Sequence, residues 1–513
     1  MKLKLKGGKI MNKFKRLAAC AMAVAMAFGM TACDEGGAVN SGNVSNSDVN
    51  GPGSTSSTSM ATTTDPDENA DTDDEAKDLD TGTFTPDGKS GVVKYLGFYD
   101  ITDDQKGKEQ CMIFESDLYG GTIEWVSAPN DYAYYEKLAT LIAADDSPDI
   151  LTYEAMAFPY GVSKNMFEPL DEYLDVNDPL WADMLPFIED NVYNGKHYYF
   201  PHRVVTSFAL NYNRKTIEDA GLDDPYDLYM EGTWTWDAWR QMMIDFCNLS
   251  EDNIGFYATD TIATAFCNTT GKAVIDYDNG IIINNMNDPD ITRGVEFLAE
   301  LGRNGLLYAG QHGDWVSPQI WAPISDKILF LGMEPEWTYI AATEEIQNPT
   351  GVDNDIFNTP SDFAFVPFPR DPQADAYYLN NGTFGYMVAK GAKNIKGAID
   401  FIYCNRLFET DQNIIDQVRK DHVDPEIVTY TAGKYQGIQK WQITWDEQVY
   451  DLWREVCVSD KFEYVTDDLY GFGQDVKTNV CTTVYSSTFG GESWSQLSQQ
   501  TIPLIDAVLD EYR

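Results

Sequence analysis

The stretch YYEKLATLIAADDSPDILTY, residues 134–153, carries two different hydrophobic patterns on either side of a turn. In its first half the apolar residues recur at the spacing of one helix face: Tyr134, Leu138, Leu141 and Ile142. Ser147-Pro148-Asp149 then ends the helix, and the apolar run ILTY is typical of a buried strand. The stretch therefore predicts a helix, a turn and a strand in direct succession.

Similar signals flank this stretch on both sides. Two segments rich in β-branched and aromatic residues, VVKYLGFY (92–99) and TIEWVSA (122–128), precede it and predict strands. Strands and helices continue after it, in the order SFALNYN, TWDAWRQMMIDF, DITRGVEFLAELGRNG, DKILFLGM, TFGYMVAK and QQTIPLIDAVLDEYR. Units of this kind predict an α/β fold with largely parallel sheets flanked by helices. Residues 91–513 are too many for one hydrophobic core, so we expect two domains.

A short apolar run near the N-terminus predicts export. Residues 17–32 carry no charged side chain and follow a basic head at residues 13–16, but a membrane-spanning helix needs roughly 20 apolar residues. The end of the run, Met30-Thr31-Ala32-Cys33, resembles the bacterial lipobox. This resemblance implies a lipoprotein signal peptide over residues 1–32 and a lipid on Cys33. An ordinary signal peptide followed by an incidental cysteine is the alternative.

Two further features surround this signal. The codons of Lys6-Gly7-Gly8 can form a ribosome-binding site, so we expect translation to begin at Met11. After Cys33, the segment up to residue 90 is rich in Ser, Thr, Asn, Asp and Gly, and Phe84 is its one aromatic residue. Such a segment cannot bury enough apolar surface to offset the entropy of ordering it, so residues 33–90 are predicted to be a disordered acidic linker.

The charge of the chain excludes several classes of partner. The sequence has 36 basic and 82 acidic side chains, a net charge of −46, and without residues 1–32 the net charge becomes −53. No basic surface could follow a phosphate backbone in such a field, so nucleic-acid binding is not expected. Anionic lipid head groups would also be repelled. We therefore expect membrane attachment only through the lipid anchor, at the outer face of the cytoplasmic membrane.

The residues that follow the predicted strands are polar or aromatic, and ligands of open α/β sheets bind at such strand ends. They are Asp100, Tyr153, Glu154, Glu336, Trp337, Asn380, Asn381 and Gly382. Carboxylates and amides can bind sugar hydroxyls, and an indole can stack on the C–H face of a sugar ring. The pattern therefore favours a carbohydrate ligand. An ordinary core position for Trp337 and a cap or ion pair for Glu154 are the alternatives.

Several segments, in their order along the chain, resemble the extracellular solute-binding proteins of bacterial ABC importers, of the maltose-binding type. They are YYEKLATLIAADDSPDILTY, FEPLDEYLD, GKHYYFPHRVVTSFALNYNRKTIEDAGL, GTWTWDAWRQM, LFLGMEPEWTYI and NNGTFGYMVAKGAKNIKGAIDFI. The resemblance covers most of residues 91–513. It implies two α/β lobes joined by hinge strands, with residues 91–210 and 380–425 in the first lobe and residues 211–379 and 426–513 in the second.

The same resemblance implies where a ligand binds and what the protein does. The first lobe would contribute Asp100, Tyr153, Glu154 and Thr206, the second lobe would stack Trp337 on a sugar, and Asn381 and Gly382 would lie near the hinge. A monomer would capture a carbohydrate, most simply an oligosaccharide, between its lobes and deliver it to the permease subunits in the membrane. No cofactor, metal or catalytic residue is expected.

Two other functions are compatible with parts of the sequence. A lipid-anchored glycoside hydrolase would need a pair of carboxylates, and Glu334 and Glu336 are such a pair, but close acidic pairs arise by chance in so acidic a chain. A receptor for peptides or another solute could use the same fold. The four histidines show no metal-ligand spacing. The six cysteines after Cys33 allow fifteen pairings, and the sequence selects none of them.

Overall fold

The computed structural model describes residues 84–102, 108–129, 133–153, 156–205, 208–278, 281–309, 326–336, 338, 362–424, 445–458, 461–466 and 469–512. The strands in these ranges are β1 (Gly91–Gly97), β2 (Gly121–Ser127), β3 (Ile150–Thr152), β4 (Val192–Tyr193), β5 (Lys196–His197), β6 (Phe200–Val205), β7 (Ala209–Asn213), β8 (Ile254–Ala258), β9 (Ile275–Asp278), β10 (Ile281–Asn284), β11 (Leu307–Ala309), β12 (Ile328–Met333), β13 (Phe363–Val366), β14 (Tyr378–Val388) and β15 (Glu463–Thr466).

The helices in the same ranges are α1 (Lys108–Glu115), α2 (Ala133–Ala143), α3 (Leu185–Glu189), α4 (Arg214–Asp219), α5 (Pro225–Met230), α6 (Trp236–Leu249), α7 (Asp260–Phe266), α8 (Pro289–Arg303), α9 (Ile395–Thr410), α10 (Gln412–Val423), α11 (Glu447–Val458), α12 (Gln474–Thr488) and α13 (Trp494–Leu509). Short 3₁₀ or π turns lie at Ala157–Gly161, Pro179–Trp181, Cys267–Thr270 and Leu469–Phe472.

Two main sheets share one pattern of strand order. The first sheet runs β2, β1, β3, β14, with β6 and β15 both paired to β14. The second runs β11, β8, β12, β7, β13. In each sheet three neighbouring strands are parallel, and the next strand, β14 or β7, is antiparallel to them. The sequence prediction of an α/β fold is confirmed, and both sheets are mixed.

The antiparallel strands are those at which the chain passes from one sheet to the other. β7 follows β6 of the first sheet after a short connection, and β14 follows β13 of the second sheet. A strand that enters from the opposite sheet arrives at the edge where the parallel strands end, so it runs in the opposite direction to them. The space between the carboxyl edges of the two sheets is called the cleft below.

The strands predicted from VVKYLGFY, TIEWVSA and ILTY form as β1, β2 and β3. The strand β14 also forms, but it begins earlier than its sequence pattern predicts. TFGYMVAK predicts a strand from residue 383, whereas β14 already begins at Tyr378. Residues 378–381 of β14 pair with residues 463–466 of β15, in parallel register. Asn380, Asn381 and Gly382 therefore lie inside the strand rather than before it, because a segment distant in sequence continues the ladder.

A buried carboxylate joins three segments of the first lobe. Asp149, which is 3% exposed, accepts a hydrogen bond from the backbone N–H of Lys94 in β1 at 2.9 Å. Its other carboxylate oxygen accepts from the N–H groups of Lys393 and Asn394 at 2.9 and 2.7 Å. Asn394 caps α9 and donates from its side chain to the carbonyls of Ser90 and Val92. The start of β1, the start of β3 and the entry to α9 are thereby fixed together.

The first residues that the structure describes pack against the first lobe. The ring of Phe84 stacks on Tyr403 of α9, with ring centroids 3.9 Å apart. The hydroxyl of Ser90 donates to the buried carboxylate of Asp400 at 2.6 Å, and Asp87 pairs with Lys396 at 2.8 Å. Residues 84–90, which the sequence assigns to the linker, thus contact the folded chain. The rest of the predicted linker and the signal peptide lie outside the described residues.

The core has two layers around the first sheet. Tyr95 of β1 belongs to a cluster with α1 and α9, whereas its neighbour Leu96 belongs to the cluster that continues into the second sheet. Because β1 is buried on both faces, its sequence is apolar without strict alternation. No disulfide bond joins the six cysteines that the structure describes, which are Cys111, Cys247, Cys267, Cys404, Cys457 and Cys481. Among the described residues, no helix combines the length and apolar character needed to cross a membrane.

Replacing Asp149 by Ala should lower the free energy of unfolding by about 3 kcal/mol, because backbone donors near the core lose a charged acceptor. Asp146→Ala is the matched control. Asp146 lies on the same turn, is 64% exposed and pairs only at the surface with Lys94, so its loss should have little effect. Denaturant unfolding followed by circular dichroism measures both. Equal stabilities of the two variants would contradict the role given to Asp149.

Candidate functional site

Three residues predicted to bind a ligand lie at the carboxyl edge of the first sheet. Asp100 follows β1 and Tyr153 follows β3, and these two strands are adjacent and parallel. The N–H of Tyr153 donates to the carbonyl of Gly385 in β14 at 2.9 Å. Gly382 lies earlier in β14, opposite Val205 at the end of β6. The strand order therefore brings Asp100, Tyr153 and Gly382 to one edge of the first sheet.

The carboxylate of Asp100 shapes its own turn. Its Oδ1 accepts hydrogen bonds from the N–H of Thr102 at 2.9 Å and from the Thr102 hydroxyl at 2.7 Å. Its Oδ2 takes part in neither bond. A turn of this type was readable in the sequence, because Asp followed by Thr at the second position commonly closes such a hydrogen bond.

Tyr153 forms an aromatic surface at the same edge. Its ring stacks on Tyr199 with centroids 4.0 Å apart and planes inclined by 25°. Its hydroxyl donates to the amide oxygen of Asn191 at 3.2 Å, and the amide nitrogen of Asn191 donates to the carbonyl of Phe187. These contacts fix the ring orientation. A half-buried, oriented tyrosine can pack against the face of a sugar ring.

The facing edge of the second sheet ends in a tight turn after β12. A carboxylate oxygen of Glu334 accepts from the N–H of Glu336 at 2.9 Å. The carbonyl of Glu334 accepts from the N–H and the hydroxyl of Thr338, at 3.1 and 2.7 Å. This turn holds Glu336 at the carboxyl end of β12, where the prediction placed the ligand contacts of the second lobe.

An ion pair spans the cleft. Arg203 lies in β6, and Nη1 of its guanidinium is 3.6 Å from Oε2 of Glu336. β6 and β3 are both antiparallel to β14, so β6 ends at the same edge as β3. The pair therefore connects the carboxyl edge of one sheet to that of the other. Arg203 is not among the residues predicted to bind a ligand. The available signal was one arginine in the otherwise uncharged run YYFPHRVV of a chain poor in basic residues.

The charge on Arg203 is set by its surroundings. Burial alone lowers the pKa of the Arg203 guanidinium, but the negative charges of Glu336 and Glu409, among others, outweigh this and raise the pKa above its ordinary value. The neighbouring His202 carries no charge at neutral pH, because burial, followed by the charges of Arg203 and Arg406, lowers its pKa well below the usual range. Glu409 in turn pairs with Arg454 at 3.0 Å.

Other contacts join the lobes beside the cleft. The hydroxyl of Tyr277 in β9 donates to the carbonyl of Val192 in β4 at 3.0 Å, and the Tyr277 ring meets Phe158 edge to face. A Cβ at Gly471 would lie 2.1 Å from the carbonyl oxygen of Phe158, so only glycine fits there. The amide of Asn268 donates at 3.3 Å to the carbonyl of Val465, which lies in β15 of the first sheet. The two sheets and their surroundings therefore touch at several points beside the cleft.

The remaining predicted positions are not all described. Glu154, Thr206, Trp337 and Cys33 lie outside the described residues, and of Asn381 only the backbone is described. The neighbouring Asn380 is 4% exposed, and its amide oxygen meets no hydrogen-bond donor among the described residues.

One surface cavity lies on the first lobe and shares no residue with these predictions. It has a volume of about 340 Å³ and is lined by residues 171–176 and His197. Nδ1 of His197 lies 2.7 Å from Oδ1 of Asp171. In contrast to the cleft, this cavity receives side chains from one lobe only.

The geometry agrees with a family comparison. The family model described as bacterial extracellular solute-binding protein matches residues 109–418. The chain belongs to this family. No curated protein matches the sequence with significance.

Solved structures show the same fold as this solute-binding protein. The GacH receptor of Streptomyces glaucescens, solved unliganded and with acarbose, has 15% identity and a TM-score of 0.58, covering 82% of this chain and 99% of that one. UgpB from Mycobacterium tuberculosis, in complex with glycerophosphocholine, has 14% identity and a TM-score of 0.58, covering 82% and 100%. The sugar-binding protein MalE from Xanthomonas citri has 15% identity and a TM-score of 0.56, covering 82% and 98%. These similarities confirm the two-lobe fold.

Replacing Tyr277 by Phe should loosen the contact between the lobes, because it removes the hydrogen bond to Val192 and leaves the ring in place. Tyr134→Phe is the matched control, since its hydroxyl donates to the Leu96 carbonyl at the same 3.0 Å within one lobe. Each variant should lose about 1 kcal/mol of unfolding free energy. Only Tyr277→Phe should raise the radius of gyration in small-angle X-ray scattering. Identical scattering from the two variants would contradict this view of the contact.

Proposed function

We propose that this protein is the lipid-anchored binding subunit of an ABC importer and captures a carbohydrate, most simply an oligosaccharide, in the cleft. The observation that carries the proposal is the meeting of the two carboxyl edges across the Arg203–Glu336 pair, next to an oriented aromatic ring at Tyr153. Ligands of open α/β sheets bind at this edge. The family assignment supports a role in solute capture rather than catalysis.

The proposed ligand contacts are those predicted from the sequence. Asp100, Tyr153, Glu154 and Thr206 contact the solute from the first lobe, Trp337 stacks on it from the second, and Asn381 and Gly382 contact it near the hinge. An oligosaccharide suits a cleft bounded by aromatic rings and acidic edges, because it offers hydroxyl groups and weakly polar C–H faces alternately. The sugar-binding relatives of the same fold are consistent with this choice.

A closing motion would couple binding to transport. A solute that touches both lobes binds the closed form more tightly than the open form, so it shifts the population towards the closed form. The closed form would then deliver the solute to the permease subunits. A lipid on Cys33 would keep the protein at the outer face of the cytoplasmic membrane. The polar segment after Cys33 would be long enough for the two lobes to reach the permease. The protein would act as a monomer.

A calorimetric screen of mono- and oligosaccharides tests the proposal. We expect at least one uncharged sugar to bind without being hydrolysed, and Trp337→Ala to reduce its affinity by about a hundredfold, as loss of a well-packed aromatic contact does. Trp125→Ala is the control, because Trp125 is 39% exposed on the outer strand β2. The Trp125→Ala variant should bind the same sugar with the affinity of the wild type.

Three results would count against the proposal. Release of shorter sugars during the titration would favour the glycoside hydrolase. Binding of peptides with no response to any sugar would favour a peptide receptor. Unchanged affinity in Trp337→Ala would remove that residue from the site.

A further inference from the structure

The Arg203–Glu336 pair joins side chains from the two main sheets. Arg203 belongs to the first sheet, and Glu336 follows β12 of the second sheet. Their side chains are 19% and 21% exposed, so the pair is neither sealed in the core nor free at the surface. Glu336 also directly precedes Trp337, the position predicted to stack on a sugar. The pair therefore lies where a solute in the cleft would contact both lobes.

The distance between the two charged groups decides what can bind beside them. At 3.6 Å, Nη1 of Arg203 and Oε2 of Glu336 are too far apart for a hydrogen bond. An oxygen atom can lie ~2.8 Å from both of them at once, which is an ordinary hydrogen-bond length. The guanidinium carbon lies over the Phe384 ring, 5.5 Å from its centroid, so this ring is a further neighbour of the group.

Only some functional groups can hydrogen-bond to both Arg203 and Glu336 at once. The oxygen must accept a hydrogen bond from the guanidinium and donate one to the carboxylate. A hydroxyl group does both, whereas a carboxylate or phosphate oxygen can only accept. An anionic oxygen would also meet the negative charge of Glu336 at close range, with Glu409 near the same guanidinium. Like charges brought together in this way are strongly disfavoured.

We infer that Arg203 and Glu336 together bind one hydroxyl group of the solute and exclude acidic sugars from the cleft. The inference rests on the proposed function and refines it by naming two contact residues and the charge of the substrate. Arg203 donates to the hydroxyl oxygen from the first lobe, and Glu336 accepts the hydroxyl hydrogen from the second. Since the contact needs both lobes, it forms only when they are together.

Isothermal titration of the full-length protein in detergent tests this pair. The uncharged probes are maltotriose, cellotriose and xylotriose, and the acidic probe is trigalacturonate. The wild type should bind at least one uncharged trisaccharide and reject trigalacturonate. Glu336→Gln should weaken the uncharged probe at least tenfold, because a charged acceptor is lost, and should bring trigalacturonate into the measurable range. The ratio of the two affinities is the decisive quantity.

Glu409→Gln is the matched control, since it removes the same charge near Arg203 without removing a proposed solute contact. It should change the affinity ratio much less than Glu336→Gln does, and melting temperatures verify that both variants are folded. Equal ratios in the two variants, or wild-type affinities in Glu336→Gln, would overturn the inference. A wild type that prefers trigalacturonate would do the same. Failure of the wild type to bind any of the four probes would instead contradict the proposed function together with the inference.

Discussion

The buried carboxylate of Asp149 closes the first lobe. The chain leaves this lobe after β6, builds the second sheet and returns in β14, so nothing local brings its two parts together. Asp149 binds the N–H of Lys94 from the outgoing part and those of Lys393 and Asn394 from the returning part. A carboxylate that accepts several backbone donors is a strong and directional link. The register of β1, β3 and β14 follows from it, and so does the placement of the residues at their ends.

The cleft is the functional consequence of this arrangement. β1 and β3 place Asp100 and Tyr153 at one edge, and β6 places Arg203 beside them. The second sheet repeats the strand order and presents Glu336 at the matching edge. The negative charges of Glu336 and Glu409 act on the guanidinium of Arg203, in a chain that is strongly acidic as a whole. An adjacent donor and acceptor suit a hydroxyl group better than an anion.

Much of the fold could be predicted from the sequence, because hydrophobic periodicity, turn residues and helix caps indicate where helices and strands begin and end. The stretch 134–153 predicts α2, the turn and β3, and Thr235 predicts the start of α6, where its hydroxyl accepts from the N–H of Ala238. The early start of β14 could not be predicted, because its partner β15 lies far away in sequence. The positions of Asp100 and Tyr153 could be predicted, because each follows a strand with a local sequence signal. The pairing of Arg203 with Glu336 could not, because it depends on two sheets meeting and leaves no local pattern.

A crystal structure of the protein with a bound uncharged oligosaccharide would locate the ligand directly. We expect sugar density between the carboxyl edges of the two sheets, with one hydroxyl within hydrogen-bond distance of both Arg203 and Glu336. Density on one lobe alone, such as in the surface cavity lined by His197, would contradict it.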